Sequence, residues 1–204
     1  MSYSKFTSEE LNERFGIEQS FQTALFASVK SRAISDWLKQ TIELNLDFAL
    51  EQGTEKARSE YIIAPMFSEL RQQSKKQISI FSGIEFNVDR QNKLTGVCDF
   101  LISRSHIQTF LKEPVVVAVE AKRQDFEKGY VQCAAEMIAA RMFNEQKGNQ
   151  VSKIYGCVTT GNVWQFLVLD GEKVFVDTTA FDITEDIARI FGLLWAMSFG
   201  EIDK

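Results

Sequence analysis

Histidine, proline and cysteine are scarce in this chain: one His, two Pro and three Cys in 204 residues. Cys98, Cys133 and Cys157 stand far apart with no CxxC pair, and His106 stands alone. Zinc is held by clusters of Cys and His, so a zinc site is excluded. Each cysteine sits among apolar neighbours and is expected to be a buried, reduced thiol. Long apolar runs are also missing. No stretch of 18 or more uncharged apolar residues exists, so no transmembrane helix is expected, and MSYSKFTSEEL lacks the apolar segment of a secretory signal. A cytoplasmic protein without membrane contact is the expectation. There is no GxxxxGK[ST] loop, hence no ATP-driven motor in cis, and no repeat, low-complexity segment or strong basic run.

What is present is enough apolar material, 45%, for one well-filled domain. The net charge is −5 from 23 basic and 28 acidic residues. Eight of the acidic and three of the basic residues lie from Asp170 onward, leaving 20 of each before it. The first 169 residues are therefore neutral overall, which permits a local basic patch.

Residues 1–17 read as a polar arm, followed by a single domain over 18–204. Apolar residues recurring every three to four positions (Phe21, Leu25, Val29, then Ile34, Leu38, Ile42, Leu46, Leu50) predict an N-terminal helical layer over 18–53, closed by Gly53. The core is expected over 55–178. A second helix, 55–73, is expected to kink or restart at Pro65, which has no N–H to donate. QISIFSGIEFNV alternates as a strand. Two further strands, 95–103 and 115–121, are joined by a polar connection with a short helical turn around HIQTFL. A helix over 125–146 ends at Gly148. KIYGCVTT, the Gly161-Asn162 turn, VWQFLVL and a DGEK hairpin into VFVDTT follow. The last helix, 182–200, carries Ile187, Ile190, Phe191, Leu194 and Trp195 on one stripe, with Leu193 and Met197 beside it. That exceeds one face, so the helix is either buried on two sides or pairs with a second copy in a homodimer. The order of elements is that of an α/β protein with a mixed sheet flanked by helices.

Within this frame, residues 95–132 stand out. Asp99 interrupts Val97, Cys98, Phe100, Leu101 and Ile102, and five apolar residues, Val115 to Val119, run into Glu120 and Lys122. A carboxylate inside such a strand costs several kcal/mol, on the order of the desolvation penalty of a buried ion, unless a cation compensates. Strand side chains alternate, so Glu120 and Lys122 point into one space. They form either a catalytic pair or a structural ion pair. Asp99 joins them only if its strand lies alongside in matching register.

The sequence resembles the PD-(D/E)XK nuclease superfamily, and within it the nuclease domain at the front of type I restriction enzyme R subunits. The pieces are SEYIIAP around Glu60, GVCDFLI around Asp99, VAVEAK around Glu120 and Lys122, Gln132 in the next helix, and CVTTGNVWQF closing the sheet; together they cover about 58–177. The Pro that usually precedes the Asp is replaced by Val97-Cys98. The resemblance implies a restriction endonuclease-like core, αβββαβ plus a C-terminal hairpin strand, with extra N- and C-terminal helices. It also implies a Mg²⁺ or Mn²⁺ ion on Asp99, Glu120, the Ala121 carbonyl and Glu60. Lys122 would orient or deprotonate the attacking water, and Gln132 would orient a water or contact the scissile strand. Glu136, one turn after Gln132, shares its face. Arg71, Lys75, Lys76 and Arg123 are candidates for phosphate contacts. The expected function is a metal-dependent DNA endonuclease. The alternative is a catalytically idle nuclease fold serving as a nucleic-acid-binding or assembly module.

Overall fold

The computed structural model describes residues 3–202. A 3-10 turn at Tyr3–Lys5 leads into α1 (Ser8–Phe15). Thr7 accepts from the Glu10 N–H and the Glu10 carboxylate accepts from the Thr7 N–H, a reciprocal cap. Then come β1 (Glu18–Gln22), α2 (Asp36–Gln52), α3 (Glu55–Arg58), a π-helical segment (Ser59–Ile63), α4 (Ala64–Gln73), β2 (Ser79–Glu85), β3 (Val97–Ser103) and β4 (Val115–Ala121). Helix α5 (Phe126–Gln146), β5 (Lys153–Thr159), β6 (Val163–Asp170), β7 (Lys173–Asp177), the two-residue β8 (Phe181–Asp182) and α6 (Ile183–Phe199) complete the chain.

All eight strands belong to one mixed sheet, in the order β1-β7-β6-β5-β4-β3-β2, with β8 pairing β6. Strands β2, β3 and β4 are antiparallel neighbours, and β5 returns parallel to β4 after the α5 crossover. The class is α/β, as the pattern of elements predicts. Every residue of β4 is buried, which explains why Val115 to Val119 form an unbroken apolar run instead of alternating. Two cores result. One, under α2, α4 and α6, holds Leu38, Ile62, Phe100, Trp164 and Phe191. The other, under α1 and α5, holds Leu11, Leu101, Ala134, Met137 and Leu167.

Three expectations are corrected. Residues 3–17 are not a polar arm: Tyr3, Phe6, Leu11 and Ile17 join the second core, and the Tyr3 hydroxyl donates to the Phe86 carbonyl. Their spacing has no period, so the burial left no pattern in the sequence. Residues 18–35 are not the start of the helical layer. Residues 18–22 instead pair in parallel with 173–177, and α2 begins only after Ser35, whose hydroxyl accepts from the Leu38 N–H. The three-to-four spacing of Phe21, Leu25 and Val29 was coincidental: Phe21 pairs with Val176, far along the chain, and Leu25 and Val29 lie beyond the end of β1. No helical turn forms around HIQTFL; Gln108 there donates to the Ile78 carbonyl and accepts from Arg71.

The irregularity expected at Pro65 takes a specific form. The backbone stays helical through residues 55–73, and the π-helical segment lies immediately before Pro65, a wider turn that accommodates a residue with no N–H to donate. The apolar surplus of α6 is taken up within the chain: Phe191, Leu194 and Met197 enter the first core, and residues 26–32 cover another side. Gly192 is the point of closest approach, since a Cβ there would stand 2.2 Å from the Lys30 carbonyl oxygen. Helix propensity alone would favour Ala over Gly by about 1 kcal/mol. The collision with fixed backbone outweighs it, so Gly192→Ala is expected to lower stability by about 1–3 kcal/mol, read as a shift in the urea unfolding midpoint.

Candidate active site

The β3–β4 ladder runs from Ser103↔Val115 to Phe100↔Val119 and stops there. Asp99 sits where the ladder ends, and its Oδ2 accepts from the Ala121 N–H at 2.8 Å. Asp99 is therefore beside Glu120 and Lys122, the adjacency on which the constellation depended. Glu120 and Lys122 share one side of β4, as strand alternation requires, with Lys122 Nζ 2.6 Å from Glu120 Oε1. Gln132, on α5, closes the arrangement: Lys122 Nζ donates to its Oε1 at 2.9 Å, and its Nε2 donates to Glu120 Oε2 at 2.7 Å. The same Nε2 reaches Glu136 Oε1 at 3.3 Å.

Helix α5 can lie this close because Gly129 has no side chain. A Cβ there would meet Val158 Cγ1 at 2.6 Å and Lys122 Cγ at 3.3 Å. The result is a buried polar network under an interior strand of the sheet. Glu120 is 2% exposed and Glu136 fully buried.

Burial dominates the electrostatics. It pushes the Glu120 carboxyl up to about 7, with the neighbouring Asp99 charge adding to the effect and Lys122 opposing it. Asp99 is raised by burial against the pull of the Ala121 N–H and the Lys122 charge. For Lys122 burial works downward, but the carboxylates of Glu120, Glu55 and Asp99 more than reverse it, so the ammonium is held charged. The two partners of one ion pair thus respond differently, because Lys122 keeps more contact with solvent than Glu120 does. Glu136, enclosed and facing Glu120, is raised well above the usual carboxylate range and holds its proton; its Oε2 has no partner.

Asp99 and Ala121 open onto a cleft whose other walls are Glu55, Lys56, Ser59 and Glu60 from α3 and the π-helical segment, with Ser82 and Gly83 of β2. Glu60 is exposed and paired with Lys56 at 3.6 Å. Glu55, which the sequence did not single out, accepts from the Arg123 N–H at 3.1 Å. Of the proposed phosphate contacts, Arg123 lies beside the cleft. Arg71, Lys75 and Lys76 do not: they follow α4 to where Ser79 pairs with Ser103, the opposite end of β3 from Asp99.

Among the described residues, no three His, Cys, Asp or Glu side chains form a metal-holding cluster. The oxygens at the cleft are the carboxylates of Asp99, Glu55 and Glu60 and the backbone of Ala121; Glu120 is buried beside them and does not line it. Asp99 and Glu120, both raised by burial and Glu120 further by the Asp99 charge, are a donor set suited to a hard divalent cation, which retains waters for the rest of its shell. Cys98, Cys133 and Cys157 are free and buried, as expected, and Trp164 and Phe166 are core.

No family model, no curated protein and no solved structure matches this chain. The chemistry of the site therefore rests on its own geometry.

Glu136 makes one consequence measurable. An ordinary carboxyl loses its proton near pH 4.3, so above that pH folding takes a proton up, and stability falls as pH rises at about 1.4 kcal/mol per pH unit for one such group. Glu136→Gln supplies the neutral form at every pH. The variant's melting temperature is expected to gain on the parent's as pH rises from 5 toward neutrality, with the smallest difference at pH 5.

Proposed function

We propose that this chain is a divalent-metal-dependent nuclease-like protein that hydrolyses phosphodiester bonds in DNA, with a restriction endonuclease-like core. The observation that carries the reading is the convergence of Asp99, Glu120, Lys122 and Gln132, from β3, the end of β4 and α5, in one network that reaches the cleft through Asp99. The order of helix, three antiparallel strands, crossover helix and parallel strand supports it, since it matches the αβββαβ core that the resemblance to PD-(D/E)XK nucleases implies.

Asp99, Glu120 and the Ala121 carbonyl would hold a Mg²⁺ or Mn²⁺ ion, with Glu60 at the rim. When bound, such an ion neutralises charge on the phosphodiester and acidifies a water. The chain's own groups do the rest. Lys122, held cationic by its carboxylates, orients the water and stabilises negative charge developing on the phosphate, a role that fits its charged state better than that of a base. Gln132 fixes Lys122 and Glu120 relative to each other, so neither is free to swing away.

A second reading has one observation in its favour. Both Glu120 oxygens are satisfied by groups of the chain itself, an arrangement that stands without a metal. On that reading the protein binds nucleic acid or assembles with partners and does not cut.

Purified protein with Mn²⁺ or Mg²⁺ is expected to nick supercoiled plasmid. Lys122→Ala and Asp99→Ala are each expected to slow nicking by about 10²–10⁴-fold, the range for losing one acid–base or charge-stabilising group. Absence of nicking, or nicking that survives both substitutions, sinks the enzymatic reading.

A further inference from the structure

Two arginines stand beside the cleft with no acidic partner. Arg58 lies on α3 among Glu55, Lys56 and Ser59, which line the cleft, and Arg123 follows Lys122 directly in the chain. Arg58 donates through Nη1 to the Thr160 carbonyl at 2.6 Å and to Asn162 Oδ1 at 3.4 Å, in the turn joining β5 to β6. Its Nε is buried and has no partner. The Arg123 backbone is fixed by Glu55, yet among the described residues its exposed guanidinium makes no hydrogen bond or ion pair. Its Nη2 lies 3.8 Å from where a Cβ on Gly53 would stand, so it rests over the α2–α3 junction. The backbone brings the two together: the Lys122 N–H donates to the Thr159 carbonyl at 2.8 Å, next to the Thr160 carbonyl that Arg58 holds, and Arg123 is tied to Glu55 on the helix that carries Arg58. After burial, the Arg123 charge lowers the Arg58 pKa accordingly.

Like charges held together without a counter-ion are unfavourable, and an anion between them reverses the sign. Guanidinium forks suit the paired oxygens of a phosphate, and the carboxylate that contacts Arg123, Glu55, is taken up by its backbone N–H and not by its guanidinium. We infer that Arg58 and Arg123 form the seat for a backbone phosphate of a nucleic-acid strand lying across the cleft, next to the phosphate presented to Asp99, Glu120 and Lys122. The seat rests on the reading of the cleft as a phosphodiester site, and gives the strand a path from the β2 edge toward the β5–β6 turn.

The test is fluorescence anisotropy of a labelled DNA duplex and of its single strand, in EDTA so that nothing is cut, over a series of salt concentrations. Arg123→Ala is expected to weaken binding about 5- to 10-fold and to reduce the slope of log K against log[salt] by about 1. Arg58→Lys, which keeps the charge and a donor for Thr160 but loses the fork, is expected to weaken binding less. The melting temperature of Arg123→Ala should equal or exceed the parent's, since the side chain makes no bond and its loss relieves repulsion. A lowered melting temperature would assign Arg123 a structural role and overturn the seat, as would parental affinity and salt slope. Competition by inorganic phosphate without any effect of the substitutions on DNA would make it a free-anion site and overturn it equally. DNA binding that depends on Arg123 but is never followed by nicking refutes the nuclease reading and leaves the seat standing; nicking that ignores Arg123→Ala does the reverse.

Discussion

The ion pair between Glu120 and Lys122 is the constraint on which the rest of the structure depends. Glu120 is 2% exposed, in an interior strand of an eight-stranded sheet. Moving such an ion out of water costs several kcal/mol even after relaxation, and a partner charge repays it only when the remaining lone pairs are also bonded. Lys122 supplies the charge and Gln132 the bond to the second oxygen. That bond needs α5 pressed close to β4, and the closeness needs Gly129. Strand, helix and ion pair thus specify one another, and a change in any of the three exposes the other two to the full desolvation cost.

The electrostatic balance of the network is lopsided toward acid. Asp99, Glu120 and Glu136 crowd around a single ammonium, with Glu55 close enough for its charge to be felt by both Asp99 and Lys122. One carboxyl, Glu136, resolves part of the excess by remaining protonated, which is cheaper than burying a third charge. What remains at the cleft is an excess of carboxylate, from Asp99, Glu55 and Glu60 with Glu120 paired to Lys122 behind them, while Arg58 and Arg123 at its side are short of negative charge. A phosphodiester strand with a divalent cation would satisfy both deficits together. The π-helical segment carrying Glu60 belongs to the same picture: such segments interrupt a regular helix at some cost, and this one presents Ser59 and Glu60 to the cleft.

Much of this was legible in local sequence. Asp99 amid apolar neighbours, and Glu120 and Lys122 after a run of five, announced buried charges before any fold was considered. The alternation of a strand placed the last two together. The run Val115 to Val119 announced a strand, Gly148 and Gly53 marked helix ends, and Pro65 marked an irregular helix; that the strand is covered on both faces came from the fold. Residues 3–17 and 18–22 were illegible because their partners are remote. Tyr3 bonds Phe86, and β1 pairs with a strand near the other end of the chain, contacts that impose no period on the residues making them. The Thr7–Glu10 capping box was the one local sign that the first segment folds.

The same division runs through the site. Side-chain alternation is a property of a single strand, so the pairing of Glu120 with Lys122 followed from their spacing alone. Which strand lies beside them, where its ladder stops and which helix face covers them are set by packing between distant segments. Those decided that Asp99 meets Ala121, that Gln132 bridges the ion pair, that Glu136 is sealed in beside it, and that Arg58 and Arg123 stand together. They also decided that Arg71, Lys75 and Lys76, a basic cluster in sequence, lie at the far end of β3. Charge can be counted along a chain, but its neighbours are chosen by the sheet.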